Sequence, residues 1–280
     1  MTRIATLRLA WVPALGALVS ALALVACGAG ATPAAPTPTS APAPVIDPAP
    51  YLSIETGTLP VVLSAPHGGR TTVPGVPTRQ TGTTVLDTNT YELATSIQSA
   101  LASRTGKRAS LVAALASRSY VDLNRAASEA YESAALAPLY QAYHSALRQA
   151  VLAASSQAGA GALLIDIHGQ SSDVTVVFRG TRNGQTASLA ALHASPGGFL
   201  TRLMALGIDV SPRLAAGAEH PDYDGGFIVA TYGVATPGGI NAVQLEFGMN
   251  YRQSSAVPLT AGQVADAIVD HLRAFAAGTI

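Results

Sequence analysis

The stretch Gly161-Ala-Leu-Leu-Ile-Asp-Ile-His-Gly169 decides how this chain is read. Its apolar run has the length of a β-strand, and it delivers an acid, Asp166, and then an imidazole, His168, at its very end. A second apolar run, Leu59-Pro-Val-Val-Leu-Ser-Ala-Pro-His67-Gly-Gly-Arg70, stops in the same way. Two histidines at two strand ends, each followed by glycine, point to one metal site built from distant parts of the chain.

Working outward, strand signals fall at residues 61–65, 111–116, 162–167, 174–178, 227–232 and 242–247. Several are continuous apolar runs, as expected of strands covered on both faces. Helical signals alternate with them. Asp87 is placed to cap a helix reaching about Ser103, with Leu93, Ile97 and Leu101 on one stripe and Gly106 past its end. Residues 136–154 repeat apolar side chains at three- and four-residue steps. Residues 199–206 and 260–275 read as two further helices. This alternation predicts an α/β fold: a mixed, mostly parallel sheet with helices on both faces. Ligands of such sheets sit beyond the carboxyl ends of the strands, where His67, His168 and Glu246 fall.

A catalytic zinc takes three protein ligands and leaves one position open. His67 and His168 are the imidazole candidates. The third ligand should be a carboxylate, and the sequence offers two, Asp87 and Glu92, with Asp87 preferred. Glu246 ends an apolar strand, where a carboxylate is costly to bury without a purpose. It is read as the general base for an attacking water; its structural alternative is an ion pair with Arg252. Ser117-Arg118-Ser-Tyr-Val-Asp122-Leu-Asn124-Arg125 gathers two arginines, an acid and an amide. Asn124 and Arg125 are assigned to a substrate carboxylate, because guanidinium binds carboxylate bidentately. Arg118 serves the same anion or polarises the scissile carbonyl, while Asp122 is expected to bridge the two arginines. Glu219-His220-Pro-Asp222-Tyr-Asp224-Gly-Gly226 reads as a flexible rim contacting substrate. His144 and His271 read as plain helix histidines, and His193 has no evident partner.

The bulk of the sequence sets the surroundings. Arg3 and Arg8 flank a charged start, and residues 9–25 are almost wholly apolar. The run closes in Leu24-Val25-Ala26-Cys27, which resembles the lipobox of bacterial lipoproteins. Residues 1–27 are therefore expected to be a lipoprotein signal peptide. Cys27 becomes the acylated N-terminus, and the protein is exported and lipid-anchored to the bacterial cell envelope. Residues 28–50 are mostly Ala, Pro, Thr, Gly and Ser, a composition that predicts a disordered tether. Residues 51–280 form one catalytic domain. Cys27 is the single cysteine, so no intramolecular disulfide can form and thiolate catalysis in the folded domain is excluded. With 16 acids against 16 Lys and Arg, nothing favours nucleic acid as a partner. No Gly-x-Ser-x-Gly elbow supports a serine hydrolase using Ser64 or Ser171.

Taken in order, Ser64-Ala-Pro-His-Gly-Gly-Arg70, Asp87, Ser117-Arg118, Val121-Asp-Leu-Asn-Arg125, Ile165-Asp-Ile-His168, Gly225-Gly-Phe-Ile228 and Val243-Gln-Leu-Glu246 resemble the N-formylglutamate amidohydrolase family. The likeness spans residues 59–251. It implies a three-layer phosphorylase/hydrolase-like α/β sandwich akin to zinc carboxypeptidases, with one zinc ion per domain. It also implies hydrolysis of an amide next to a carboxylate, as in an N-acyl amino acid or peptide. His67 and His168 then match metal ligands, Glu246 the catalytic acid/base and Asn124-Arg125 the carboxylate clamp. Asp87 versus Glu92 stays open. The rival reading is a catalytically silent lipoprotein that binds small carboxylates on the same scaffold.

Overall fold

The computed structural model describes residues 45–280. The expected signal peptide, Cys27 and most of the expected tether lie outside the described residues. Ile46 and Tyr51 already pack against the core, so the folded region starts a few residues earlier than composition suggests.

Seven strands make one sheet: β1 Leu52–Glu55, β2 Val61–Ala65, β3 Ser110–Ala114, β4 Leu163–Gly169, β5 Val177–Gly180, β6 Val210–Ser211 and β7 Asn241–Phe247. Their spatial order is β1-β3-β2-β4-β7-β5-β6. The four central strands β3, β2, β4 and β7 run parallel, so their carboxyl ends share one edge. β1 and β5 are antiparallel to their neighbours β3 and β7. The α-helices are α1 Thr90–Thr105, α2 Ala127–Ala130, α3 Ala137–Ala158, α4 Leu189–Leu192, α5 Phe199–Ala205, α6 Phe227–Tyr232, α7 Met249–Arg252 and α8 Val257–Phe275.

The period of two along each strand explains why the central strands read as unbroken apolar runs. Leu63, Ile165, Val243 and Leu245 face one layer, built of α1, α5 and α8, where Leu93, Ile97, Ile268 and Leu272 meet them. Val62, Leu164 and Ala242 face the other layer, where α3 supplies Leu139, Tyr143, Leu147 and Val151. Fully burying each large apolar side chain contributes roughly 1.5–3 kcal/mol. On this second face the strands change character towards their ends. Ser64, Asp166, His168, Gln244 and Glu246 follow the apolar positions, all of them buried. In register Asp166 lies beside Gln244 and His168 beside Glu246.

Two expectations need correction. Residues 227–232, read as a strand, form the helix α6. An apolar run of six has no decisive period; what fixes it is a contact from outside, Ile228 N–H donating to Asn124 Oδ1 at 2.8 Å. Ile228, Val229 and Tyr232 then turn inward together. Nor does Asp87 cap α1 with its side chain. Asn89, at φ 64°, precedes the helix, and Thr90 donates to the Asp87 carbonyl instead. The Asp87 carboxylate is left for another use. The short β1 and β6 gave no signal in the sequence.

Candidate active site

Past the end of β2 the chain turns through Pro66, His67, Gly68 and Gly69. The turn must be glycine: a Cβ on Gly68 would lie 2.5 Å from Tyr91 N, and one on Gly69 would lie 2.3 Å from Ala116 O. This tight passage seats His67 beside His168 at the end of β4, with the two rings meeting edge-on. Asp87 joins them from the loop before α1, its own N–H donating to the His67 carbonyl.

Three atoms converge there. His67 Nδ1 and His168 Nδ1 are 3.1 Å apart, and Asp87 Oδ2 lies 3.4 Å from the first and 3.2 Å from the second. Each imidazole's other nitrogen is taken. His67 Nε2 lies 2.7 Å from Asp122 Oδ1, and His168 Nε2 lies 2.9 Å from Asp166 Oδ2. A neutral imidazole has one N–H, and each carboxylate, being acceptor-only, claims it. Both Nδ1 atoms therefore present lone pairs towards each other and towards an anionic oxygen. Such an arrangement is repulsive unless a positive charge, a metal ion or a shared proton, sits among them.

The residues fit a metal ion. Ligands about 2.0–2.1 Å from a tetrahedral centre are spaced about 3.3 Å from one another, which is the spacing of this triangle. Carboxylates on the far nitrogens fix the ring tautomers, as they do behind metal-binding histidines generally. The charges follow the same logic. Burial opposes ionisation of Asp87, but His67 and His168 hold its carboxyl far below the usual carboxylate range. Burial likewise opposes that of Asp122, and His67 and Arg118 outweigh it. Burial would lower His168, yet Asp166 and Asp87 hold it well above the ordinary imidazole value.

Glu246 stands beside this triangle, with Oε1 4.0 Å from His168 Nδ1 and accepting from Gln244 Nε2 at 2.8 Å. Burial raises its carboxyl above the usual value, and the nearby histidines oppose this only in part. Among the described residues its Oε2 has no hydrogen-bond partner, and the side chain lines a cavity of about 580 Å³. His67, Asp87, His168 and Arg125 line the same cavity.

Other expected residues take different places. Glu92 is half-buried on α1, 3.5 Å from Arg70 and apart from the triangle, so Asp87 supplies the carboxylate. Arg118 is buried and fixed: Nε and Nη2 both donate to Asp122 Oδ2, and Nη1 reaches Asp87 Oδ1 at 3.4 Å. Asp122 thus bridges Arg118 and His67, not the two arginines. Asn124 touches the cavity, but its side chain is committed to Gln244 and to the first turn of α6, and its Nδ2 lies 3.2 Å from His168 Nε2. Arg252 does not pair with Glu246; it donates to the carbonyls of Phe247, Thr88 and Gln170. Glu219 is withdrawn from the rim into a buried pair with Arg179, which also meets His193. Asp222 and Asp224 do line the cavity.

Asp166, Asp122 and Gln244 were missed as working parts. For Asp166 a signal existed, since the period of two places it on the same strand face as His168.

No family model matches the chain, and no curated protein matches it. Solved structures do. A crystal structure of N-formylglutamate amidohydrolase from Ralstonia eutropha superposes with a TM-score of 0.59 at 17% identity, covering 81% of this chain and 99% of that one. The chain has the fold of that amidohydrolase. A gene product of Agrobacterium tumefaciens superposes with a TM-score of 0.54, also at 17% identity, covering 80% of this chain and 94% of that chain. The expected three-layer α/β architecture with a mixed, mostly parallel sheet is therefore the observed one.

Proposed function

We propose that this protein is a metal-dependent amidohydrolase of the N-formylglutamate amidohydrolase family, cleaving an amide next to a carboxylate. The observation that carries the reading is the triangle of His67 Nδ1, His168 Nδ1 and Asp87 Oδ2, with both Nε2 atoms already tied to carboxylates. Two nitrogens and one oxygen suit zinc, which when bound would polarise the scissile carbonyl and acidify water.

The chain's own groups do the rest. Asp122 and Asp166 hold the two rings in the tautomer that presents Nδ1. Arg118, gripping Asp122, keeps that carboxylate from swinging towards the cavity. Glu246, steadied through Oε1 by Gln244, takes the proton of the attacking water at Oε2 and returns it to the departing amine. Arg125, whose guanidinium among the described residues donates only to the Asn124 carbonyl, through Nη1, is the one available to a substrate carboxylate. Val85 and Leu86, on the loop before α1, line the same cavity and limit water around the reacting amide.

The test is hydrolysis of a panel of N-acyl amino acids by zinc-loaded protein, with and without a chelator. Turnover that disappears on chelation and returns with zinc supports the proposal. Chelator-resistant turnover, or none with any amide of the panel, would sink it.

We further propose that Cys27, in Leu24-Val25-Ala26-Cys27, anchors the exported protein through lipid. Labelled palmitate should enter the wild-type protein in a bacterial host and not a Cys27→Ala variant; equal labelling would refute the anchor.

A further inference from the structure

The cavity beside the triangle is lined by charges of two kinds, those already answered within the protein and those left over. Arg118 is answered by Asp122 and Asp87. Arg252 is occupied by three carbonyl oxygens. What remains is Arg125 on one segment, and Asp222 and Asp224 on another. None of these three side chains has an ion-pair partner among the described residues.

The two acids are not on a loose tail. Tyr223, between them, stacks on Phe178 at 5.0 Å between ring centres, and its hydroxyl lies 2.7 Å from Ser172 Oγ. β5 passes close beneath, where a Cβ on Gly180 would lie 2.5 Å from the Tyr223 carbonyl. Gly225 takes φ 120°, a backbone that favours glycine, and Gly226 N–H donates to Gln244 Oε1 at 2.8 Å. Gln244 also holds Glu246, the buried acid that lines this cavity and whose Oε2 has no hydrogen-bond partner among the described residues. One amide therefore ties the acidic loop to the proposed proton-transfer group. The loop is prearranged, so an ion bound there does not have to order it.

A substrate with two carboxylates would find one free guanidinium and then two uncompensated acids. Like charges brought together at a site of this kind discriminate against the wrong ligand. We infer that the cavity takes an N-acyl diamino acid, its α-carboxylate on Arg125 and its side-chain ammonium on Asp222 and Asp224. This inference rests on the amidohydrolase reading for its amide and its carboxylate; the sign of the second charge comes from the loop alone.

The experiment compares the Nα-formyl derivatives of lysine, norleucine and glutamate, whose side chains differ in charge. With zinc-loaded protein, kcat/KM should fall in that order, by roughly five- to tenfold at each step. In the double variant Asp222→Asn, Asp224→Asn the lysine derivative should drop to the level of norleucine. Glutamate processed as well as lysine, or a lysine preference that survives the double variant, overturns the inference. If none of the three is hydrolysed, the reaction is wrong, and calorimetric binding of the same compounds at low and high salt decides the charge. There the same order, flattened by salt, supports the inference, and equal affinities overturn it. Should the double variant fail to fold, the exposed Asp222→Asn alone carries the comparison.

Discussion

Two buried networks of charge stand at different places along the sheet, and they are built on opposite terms. Around β5, Arg179 donates through Nε to Glu219, through Nη1 to His193 Nε2 and through Nη2 to the Gly217 carbonyl. Glu219 in turn accepts from the backbone of Thr181 and Asn183 and from the Thr181 hydroxyl. Every charged atom there is answered. At the ends of β2 and β4 the outer ring is just as well made, with Asp122 and Asp166 each bonded to an imidazole. The inner ring is not: with both rings neutral, three acceptors face one another with no donor among them. Burial of charge alone therefore says little about function. An unmet set of lone pairs, held in place by a satisfied set behind it, says much more.

The contrast can be broken most sharply at Glu246. Glu246→Gln keeps the shape and the Gln244 contact but loses the proton acceptor. Turnover should fall by about 10²–10⁴-fold while bound metal, measured by atomic emission, stays at the wild-type level. A variant that keeps its activity removes Glu246 from the chemistry. The closed network should answer in stability instead. Glu219→Ala leaves Arg179 buried without its anion, a loss of about 3–5 kcal/mol in denaturant unfolding, with metal content of the folded fraction unchanged. Asp122→Asn should do the reverse. It disturbs the tautomer of His67 and weakens metal affinity by about 10–100-fold, measured by competition with a chromophoric chelator. If Asp122→Asn and Glu219→Ala behave alike, the distinction between the two networks fails.

A smaller effect separates both from a histidine with neither role. His271 is buried in α8, neither ring nitrogen has a hydrogen-bond partner among the described residues, and burial pushes it down to about 4. Above pH 6.5 folded and unfolded chains both carry it neutral, and its contribution is constant. As pH falls from 6.5 towards 4 the unfolded chain gains a proton that the folded chain refuses, so stability is lost across that window and levels off below it. Relative to pH 7, the unfolding free energy at pH 5 should therefore fall by roughly 1–2 kcal/mol more in the wild type than in His271→Leu. Metal-free protein should be used for both, since ligand protonation would otherwise add to the slope. Parallel pH curves would show that His271 titrates normally.

Much of this was legible in the residues. β2 was read at its observed bounds, and β4 and β7 to within two residues, because runs buried on both faces have no polar position to blur them. His67 and His168 stood out because an imidazole after such a run breaks its pattern. Spacing failed where a local segment answers to a distant one. Residues 227–232 are helical because Asn124 receives their first turn, and Asn124 is 104 positions away from Ile228. Asp87 and Glu92 are five residues apart, and Asp87 reaches the triangle from the loop before the left-handed turn at Asn89, while Glu92 lies on the helix after it. Asp122 looked like a bridge between neighbouring arginines, and nothing local revealed that His67 would claim its other oxygen.

The triangle has a further consequence for how the molecule matures. Its two nitrogen donors are 101 positions apart, brought together by the parallel pairing of β2 with β4, and parallel pairing requires a long crossover to close first. A chain caught half-assembled offers an ion only scattered single donors. Capture of a cation would thus come late and work as a seal on a finished sheet, so a loaded molecule would already have completed its centre.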